Sequence, residues 1–354
     1  MTEQMIAAVY HGSGDVRIEN MDVPTPAAGE VLLKILRSGM CGTDASEYKS
    51  GPKMFPVANK HPNSGHQGPM VLGHEFIGEV VGGAEGPPEF KVGDIVASGA
   101  GISCGDCKRC REGRTNLCDK YVTLGLNRHG GMAEYVAVPT STLVKVPNGL
   151  DLDAAGISQP LAVGLHAARR SGVRNGDKVL LIGAGAIGTF VLAGLKHLVD
   201  AEVTVLDFGG NRLERASRLG ADHTVEVGPE ANDKIKQIFG PAGIDVVIEA
   251  SGAPGQLPFA IDMVKRGGTV LQVGLPSAHP EIDLHKLVLS EINIITTLAH
   301  VCGEDLGASL EILANSTLAE ELIEGVYPLS EISNQLELLS TGKIQGKVLF
   351  DPSL

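Results

Sequence analysis

Lys178-Val179-Leu180-Leu181-Ile182-Gly183-Ala184-Gly185-Ala186-Ile187-Gly188 is the stretch on which the fold turns. A short apolar strand runs directly into G-x-G-x-x-G, and the segment after it reads as a helix to about Leu198. Such a glycine motif carries little weight alone; its place between strand and helix makes it a dinucleotide fingerprint. Gly183 permits the tight turn, Gly185 the close approach of a pyrophosphate and Gly188 the packing of helix on strand. Ala186 and Ile187 open the helix whose N-terminus faces the phosphates. Val203-Thr204-Val205-Leu206 is the next strand, ending in Asp207. A carboxylate there binds both ribose hydroxyls of NAD and repels a 2′-phosphate, so NAD is expected over NADP. Arg212 is the counter-signal, since a nearby arginine can accommodate that phosphate.

Outward from this motif the same rhythm continues. Asp245-Val246-Val247-Ile248-Glu249, Thr269-Val270-Leu271-Gln272-Val273 and Ile292-Asn293-Ile294-Ile295-Thr296 read as strands. Helical stretches such as Arg212 to Leu219 lie between strands, the pattern of a doubly wound parallel sheet in an α/β fold. Before about residue 150 the chain instead reads as short strands, among them Val31-Leu32-Leu33-Lys34-Ile35, Phe76-Ile77-Gly78-Glu79-Val80-Val81 and Ala133-Glu134-Tyr135-Val136-Ala137-Val138. Turn signals at Pro24-Thr25-Pro26, Gly82-Gly83 and Gly93-Asp94 separate them, and Gly51 to Gly68 reads as a long polar loop. This half is an irregular, mostly β domain. The last fifty or so residues, with a strand at Lys347-Val348-Leu349-Phe350, are too few for a third domain and are expected to pack on the first.

Cys104, Cys107, Cys110 and Cys118 form C-x2-C-x2-C-x7-C, a spacing that wraps four thiolates around one Zn²⁺. Lys108, Arg109 and Arg111 are placed to offset the charge of such a centre. Two disulfides are the alternative, disfavoured by the very short rings they would close. Only Cys41 and Cys302 remain outside the quartet, Cys302 reading as a buried small hydrophobe. The cysteine usage suits a reducing cytosol, and Met1-Thr2-Glu3-Gln4-Met5 lacks the features of a signal peptide. No apolar run reaches membrane-span length. The net charge of −13 opposes a nucleic-acid or anionic-membrane partner.

Cys41 stands in Gly39-Met40-Cys41-Gly42-Thr43-Asp44, and a second group of donors, Gly73-His74-Glu75, follows about thirty residues on. Together with the quartet, the fingerprint and Gln159-Pro160-Leu161-Ala162-Val163-Gly164-Leu165-His166, these motifs resemble the zinc-containing medium-chain alcohol dehydrogenases over essentially the full chain. Within that family the chain is most similar to the polyol and vicinal-diol branch, the sorbitol and butanediol dehydrogenases.

The resemblance implies a GroES-like catalytic domain of residues 1–157 and 298–354 and a Rossmann domain of residues 158–297, with the active site in the cleft between them. It implies two zinc ions per chain. The quartet holds a structural ion; Cys41 and His74, with Glu75 as a direct or outer ligand, hold a catalytic one with an open position. That zinc lowers the pKa of the substrate alcohol and stabilises the alkoxide, which releases hydride to the nicotinamide. By the same resemblance, Thr43 takes the proton from the bound alcohol and passes it on through the cofactor ribose. Ser46 stands where many relatives have histidine, so Ser46 or water completes the relay. Gln159 replaces a usual glutamate, leaving the centre one unit more positive, and is expected to hydrogen-bond water or substrate. Val273, Gly274 and Leu275, then Leu298 and Ala299, line the cofactor, with Ser251 and Gly252 beside them; Tyr48 and His300 line the substrate pocket. His61, His66, His129 and His166 read as surface or packing residues.

These readings converge on a zinc- and NAD-dependent oxidoreductase of secondary alcohols or vicinal diols, cytoplasmic and, by resemblance, a homodimer or homotetramer. Threonine or sorbitol dehydrogenase activity is the alternative within the class. A catalytically silent NAD-binding protein and a zinc-dependent nucleic-acid binder are the alternatives outside it, the second disfavoured by charge.

Overall fold

The computed structural model describes residues 3–83, 89–276 and 278–354; Met1 and Thr2 of the N-terminal reading lie outside them. The chain divides into two compact units, one of Met1–Gln159 and Val301–Leu354, the other of Pro160–His300.

The second unit is built on a six-stranded parallel sheet. Its order is His223–Glu226, Glu202–Asp207, Lys178–Ile182, Ile244–Glu249, Val264–Gln272 and Asn293–Thr296. Alternate residues serve opposite faces, as strand geometry requires. Val179 and Leu181 enter one core with Val203, Val205, Val246 and Ile248, against Val191, Leu192 and Leu195 of the helix Ala186–Leu198. Leu180 and Ile182 enter the other with Leu206, Val247 and Val270, against Ile235 and Phe239 of Ala231–Phe239 and Ile261 of Gln256–Met263. Burial on both faces explains why these strands read as unbroken apolar runs. Strand order reverses at Lys178–Ile182, so the crevice at its carboxyl end is the switch point where such sheets take ligands.

One strand departs from expectation. Val264–Gln272 begins five residues before Thr269, because Val264 pairs with Ile244 across a register shift that the polar Lys265-Arg266-Gly267-Gly268 run conceals. It stops at Gln272, leaving Val273, Gly274 and Leu275 in the loop beyond.

The first unit contains a seven-stranded sheet in which Glu30–Gly39 is central, flanked by Glu75–Gly83 and Lys347–Phe350 and also paired with Tyr135–Pro139. Leu349 faces Gly39 and Phe350 faces Ser38, so the C-terminal strand closes on the N-terminal half. Gly82-Gly83 is the end of a strand rather than a turn, paired with Leu32 and Val31. The unit also contains helices that the β-rich reading passed over, notably Gly42–Ser50, which begins just after Cys41. Its polar sequence gives no apolar periodicity to detect. Among the described residues, no helix is long and apolar enough to cross a membrane.

Candidate active site

The four clustered cysteines converge around a short helix, Lys108–Arg111, and a turn of 3₁₀ helix, Thr115–Leu117. All are free thiols with their sulfurs within 4.8 Å of one another. Cys107 Sγ lies 3.5 Å from Cys110 Sγ and 3.9 Å from Cys118 Sγ. Four sulfurs at Zn–S bonds of about 2.3 Å would stand about 3.8 Å apart in a tetrahedron. Backbone amides point at the sulfurs: Cys104 N donates to Cys118 Sγ, Cys107 N to Cys104 Sγ and Lys120 N to Cys118 Sγ. Donation from the Asp119 and Cys110 amides draws the Cys107 thiol down to about 6. The residues therefore fit a four-thiolate zinc centre. The flanking cations are otherwise engaged: Lys108 and Arg109 pair with Glu112, and Arg111 with Asp106. Amide dipoles, not these side chains, are what the structure aims at the sulfur charge.

A second donor set forms where two strands meet. Glu75 opens the strand Glu75–Gly83 opposite Gly39, two residues before Cys41. Gly39 makes that approach possible, since a Cβ there would lie 2.5 Å from Glu75 Oε2. Donor atoms of Cys41, His74 and Glu75 consequently come within 4.8 Å of one another, with His74 and Glu75 buried. Around them is a supporting shell that motif reading left unassigned. Asp44 Oδ2 accepts from Cys41 N at 2.9 Å, while Oδ1 lies 3.7 Å from His74 Nδ1. Lys347 Nζ pairs with Glu75 Oε2 and donates to Met40 O at 2.6 Å, all buried. Burial opposes charge on His74, but Asp44, Cys41 and Glu75 outweigh it and push the imidazole up to about 10. Burial likewise raises the Asp44 carboxyl. His74 Nδ1 and Asp44 Oδ1 lack a hydrogen-bond partner; a carboxylate behind a ligating imidazole is the arrangement that fixes its orientation. Three donors leave a tetrahedral zinc one open position.

Thr43 stands beside this set, its Oγ1 3.8 Å from Cys41 Sγ. Ser46 lies one turn further along the helix, exposed, its Oγ accepting from Lys53 Nζ at 2.7 Å. Tyr48 is half-buried against the core around Tyr10 and Phe55. Gln159 is buried at the start of the helix Ser158–Ser171.

In the other unit, the glycine turn occupies the switch point. A Cβ on Gly188 would meet Gly183 O at 1.8 Å, so that glycine is demanded by helix–strand packing. A Cβ on Gly185 would meet no protein atom within 4 Å, leaving room for a ligand above the helix N-terminus. Asp207, buried, ties the turn down: Oδ2 accepts from Ala184 N at 2.5 Å and Oδ1 from Phe208 N at 2.6 Å. Oδ2 retains a lone pair for a ribose hydroxyl, while Oδ1 is shared between Phe208 N and Arg212. Arg212 stands 3.5 Å from Asp207 Oδ1. Ser251 and Gly252 pack against Gly183 and Leu275 respectively, and Gly274 against Gly252. Leu275 and Leu298 are exposed, Ala299 adopts a left-handed φ of 46°, and His300 is buried. Cys302, expected in the core, is only half-buried, and burial pushes its thiol up to about 11.

The comparisons agree with this architecture. Residues 27–148 match the alcohol dehydrogenase GroES-like domain, and residues 186–315 match the zinc-binding dehydrogenase family. The sorbitol dehydrogenase of Bacillus subtilis (strain 168) is 32% identical over 340 residues, 95% of this chain and 93% of that one. An L-threonine 3-dehydrogenase of Enterobacter sp. (strain 638) is 36% identical over 279 residues, 77% of this chain and 78% of that one. The crystal structure of 2R,3R-butanediol dehydrogenase from Bacillus subtilis superposes with a TM-score of 0.89 at 30% identity, covering 98% and 99% of the two chains. A chain that carries both domain families and matches such relatives almost end to end belongs to the zinc-containing medium-chain alcohol dehydrogenases, in their polyol and diol branch, and is an oxidoreductase of alcohol groups.

Proposed function

We propose that the chain oxidises secondary alcohols or vicinal diols of modest size with NAD, and reduces the corresponding ketones. The observation that carries this reading is the convergence of Cys41, His74 and Glu75 beside Thr43 Oγ1, 3.8 Å from Cys41 Sγ. Zinc, when bound, supplies Lewis acidity toward the substrate oxygen. Cys41 and His74 would hold it, and Asp44, its Oδ1 3.7 Å from His74 Nδ1, would set the ring orientation once that contact closes to a hydrogen bond. Glu75, tethered by Lys347 through Oε2, keeps a carboxylate oxygen within 4.8 Å of the Cys41 and His74 donors. Thr43 Oγ1 receives the hydroxyl proton. Ser46, joined to Lys53, lies outward of Thr43 and supports a relay ending at the surface. Gln159 serves as a neutral hydrogen-bonding group toward water or substrate.

Asp207 at the end of its strand supports NAD over NADP, with Arg212 already paired to it. Ser251, Gly252, Val273, Gly274, Leu275, Leu298 and Ala299 are assigned to the cofactor, and Tyr48 and His300 to the substrate. Cys104, Cys107, Cys110 and Cys118 would hold a second zinc that braces their loop. Six free cysteines support a cytoplasmic home. The edge strand Asn293–Thr296, with exposed Leu284, Val288 and Leu289 before it, supports a homodimer or homotetramer assembled on that edge.

The test is a substrate panel with metal analysis. Two zinc ions per chain and NADH formation faster with a vicinal diol than with sorbitol or L-threonine support the reading. One zinc ion and no alcohol-dependent NADH formation would replace it with a silent NAD-binding protein.

A further inference from the structure

Glu249 is fully buried at the carboxyl end of the central strand Ile244–Glu249, beside the switch point. Its carboxylate accepts from Ser251 N at 2.7 Å, from Ser251 Oγ, from Gly252 N at 3.0 and 3.1 Å, and from Gln272 Nε2. Every partner is a donor, which suits an ionised carboxylate. No lysine, arginine or histidine among the described residues pairs with it. A buried charge held by dipoles alone is costly, and most buried carboxylates are paired with a cation. The groups that hold it lie in the crevice wall. Ser251 N and Cβ lie 3.0 Å from where a Cβ on Gly183 would stand, and Gln272 Nε2 also donates to Gly274 O at 2.6 Å. Glu249 therefore sits beneath the loops assigned to the dinucleotide, its carboxylate held by hydrogen-bond donors with no ion-pair partner among the described residues.

We infer that Glu249 is an electrostatic positioning residue whose fixed negative charge raises the affinity of this site for the oxidised, cationic nicotinamide relative to the reduced, neutral one. The inference rests on the reading of this crevice as the dinucleotide site. A structural clamp alone would affect both redox forms alike, because it acts through loop geometry. A charge acts on their difference, because only the oxidised ring is positive. At an effective dielectric near 20, a unit charge acting over ~10 Å shifts an equilibrium on the order of tenfold, which sets the scale the experiment must resolve.

The experiment measures Kd for NAD⁺ and NADH separately by calorimetry on the zinc-loaded protein. Glu249→Gln is expected to raise Kd(NAD⁺)/Kd(NADH) roughly five- to tenfold, and Glu249→Asp to leave the ratio near the parent value. Gln272→Lys keeps the carboxylate but supplies a cation, and is expected to shift the ratio the same way, so a poorly folding Glu249→Gln does not end the test. Equal weakening of both redox forms in the two charge-altering variants overturns the inference while leaving the dinucleotide site intact. Failure of the parent protein to bind either form overturns the site assignment itself, and this inference with it.

Discussion

Lys347 Nζ is ion-paired with Glu75 Oε2 in a pocket that exposes only 5% and 2% of the two side chains, and the residues come from opposite ends of the chain. The C-terminal strand brings the ammonium there by pairing with Glu30–Gly39, and Met40 O takes a further hydrogen bond from it. The pair joins the candidate metal site to the last strand of the fold.

Removing that ammonium strands a buried carboxylate. Lys347→Met is expected to destabilise the zinc-free protein by about 3–5 kcal/mol, the usual cost of breaking a buried pair from one side. The loss should shrink when zinc is restored, since the ion offers Glu75 a replacement positive charge. Denaturant melts of parent and variant, with and without chelator, measure both numbers; equal losses under the two conditions would separate Glu75 from the metal.

The two fingerprint glycines should fail differently. Gly188→Ala drives a methyl into Gly183 O and is expected to lower Tm and expression. Gly185→Ala meets no protein atom, so Tm should hold, while NADH affinity falls by an order of magnitude or more as the methyl enters the space left for the ligand. A Gly185→Ala protein that binds NADH like the parent would move the pyrophosphate elsewhere.

The quartet should bind its metal independently of catalysis. Cys107→Ser is expected to lower zinc content by one ion per chain, with calorimetric NADH binding preserved. Elemental analysis showing unchanged zinc would mean that the four thiols serve another purpose.

His129 should set an acid limit on stability. Val71 N donates to its Nδ1 at 3.0 Å, which requires the neutral ring, and burial followed by the nearby His66 and Arg128 draws it down to about 4. Because the folded value lies below the unfolded one, the stability it contributes is fully present above about pH 6.5. It is lost as pH falls toward 4, on the order of 3 kcal/mol in all. His129→Asn, which can still accept from Val71, should flatten that limb in denaturant melts between pH 4 and 7. An unchanged limb would assign acid sensitivity to other groups.

Much of this molecule was legible in one dimension, where spacing alone states the chemistry. The strand–glycine–helix stretch at 178–188 specified the parallel sheet, because its strand is buried on both faces and the fold demands glycine at Gly183 and Gly188. The quartet was legible because its ligands lie within fifteen residues of one another. Cys41, His74 and Glu75 could be grouped only by resemblance, since their convergence depends on Gly39 facing Glu75 across two strands. The helix after Cys41 has no signal in its polar sequence, and charged and glycine residues mask the early start of Val264–Gln272.

The fold class, the quartet and the dinucleotide motif are all written in residues that lie close together along the chain. Only the tertiary structure decided which groups surround them. Asp44 behind His74, Lys347 against Glu75 and Glu249 beneath the cofactor loops are ordinary charged residues in the sequence, carrying no local signature. Their roles arise from burial and strand register, which bring charges into low-dielectric contact across as many as 272 residues of chain.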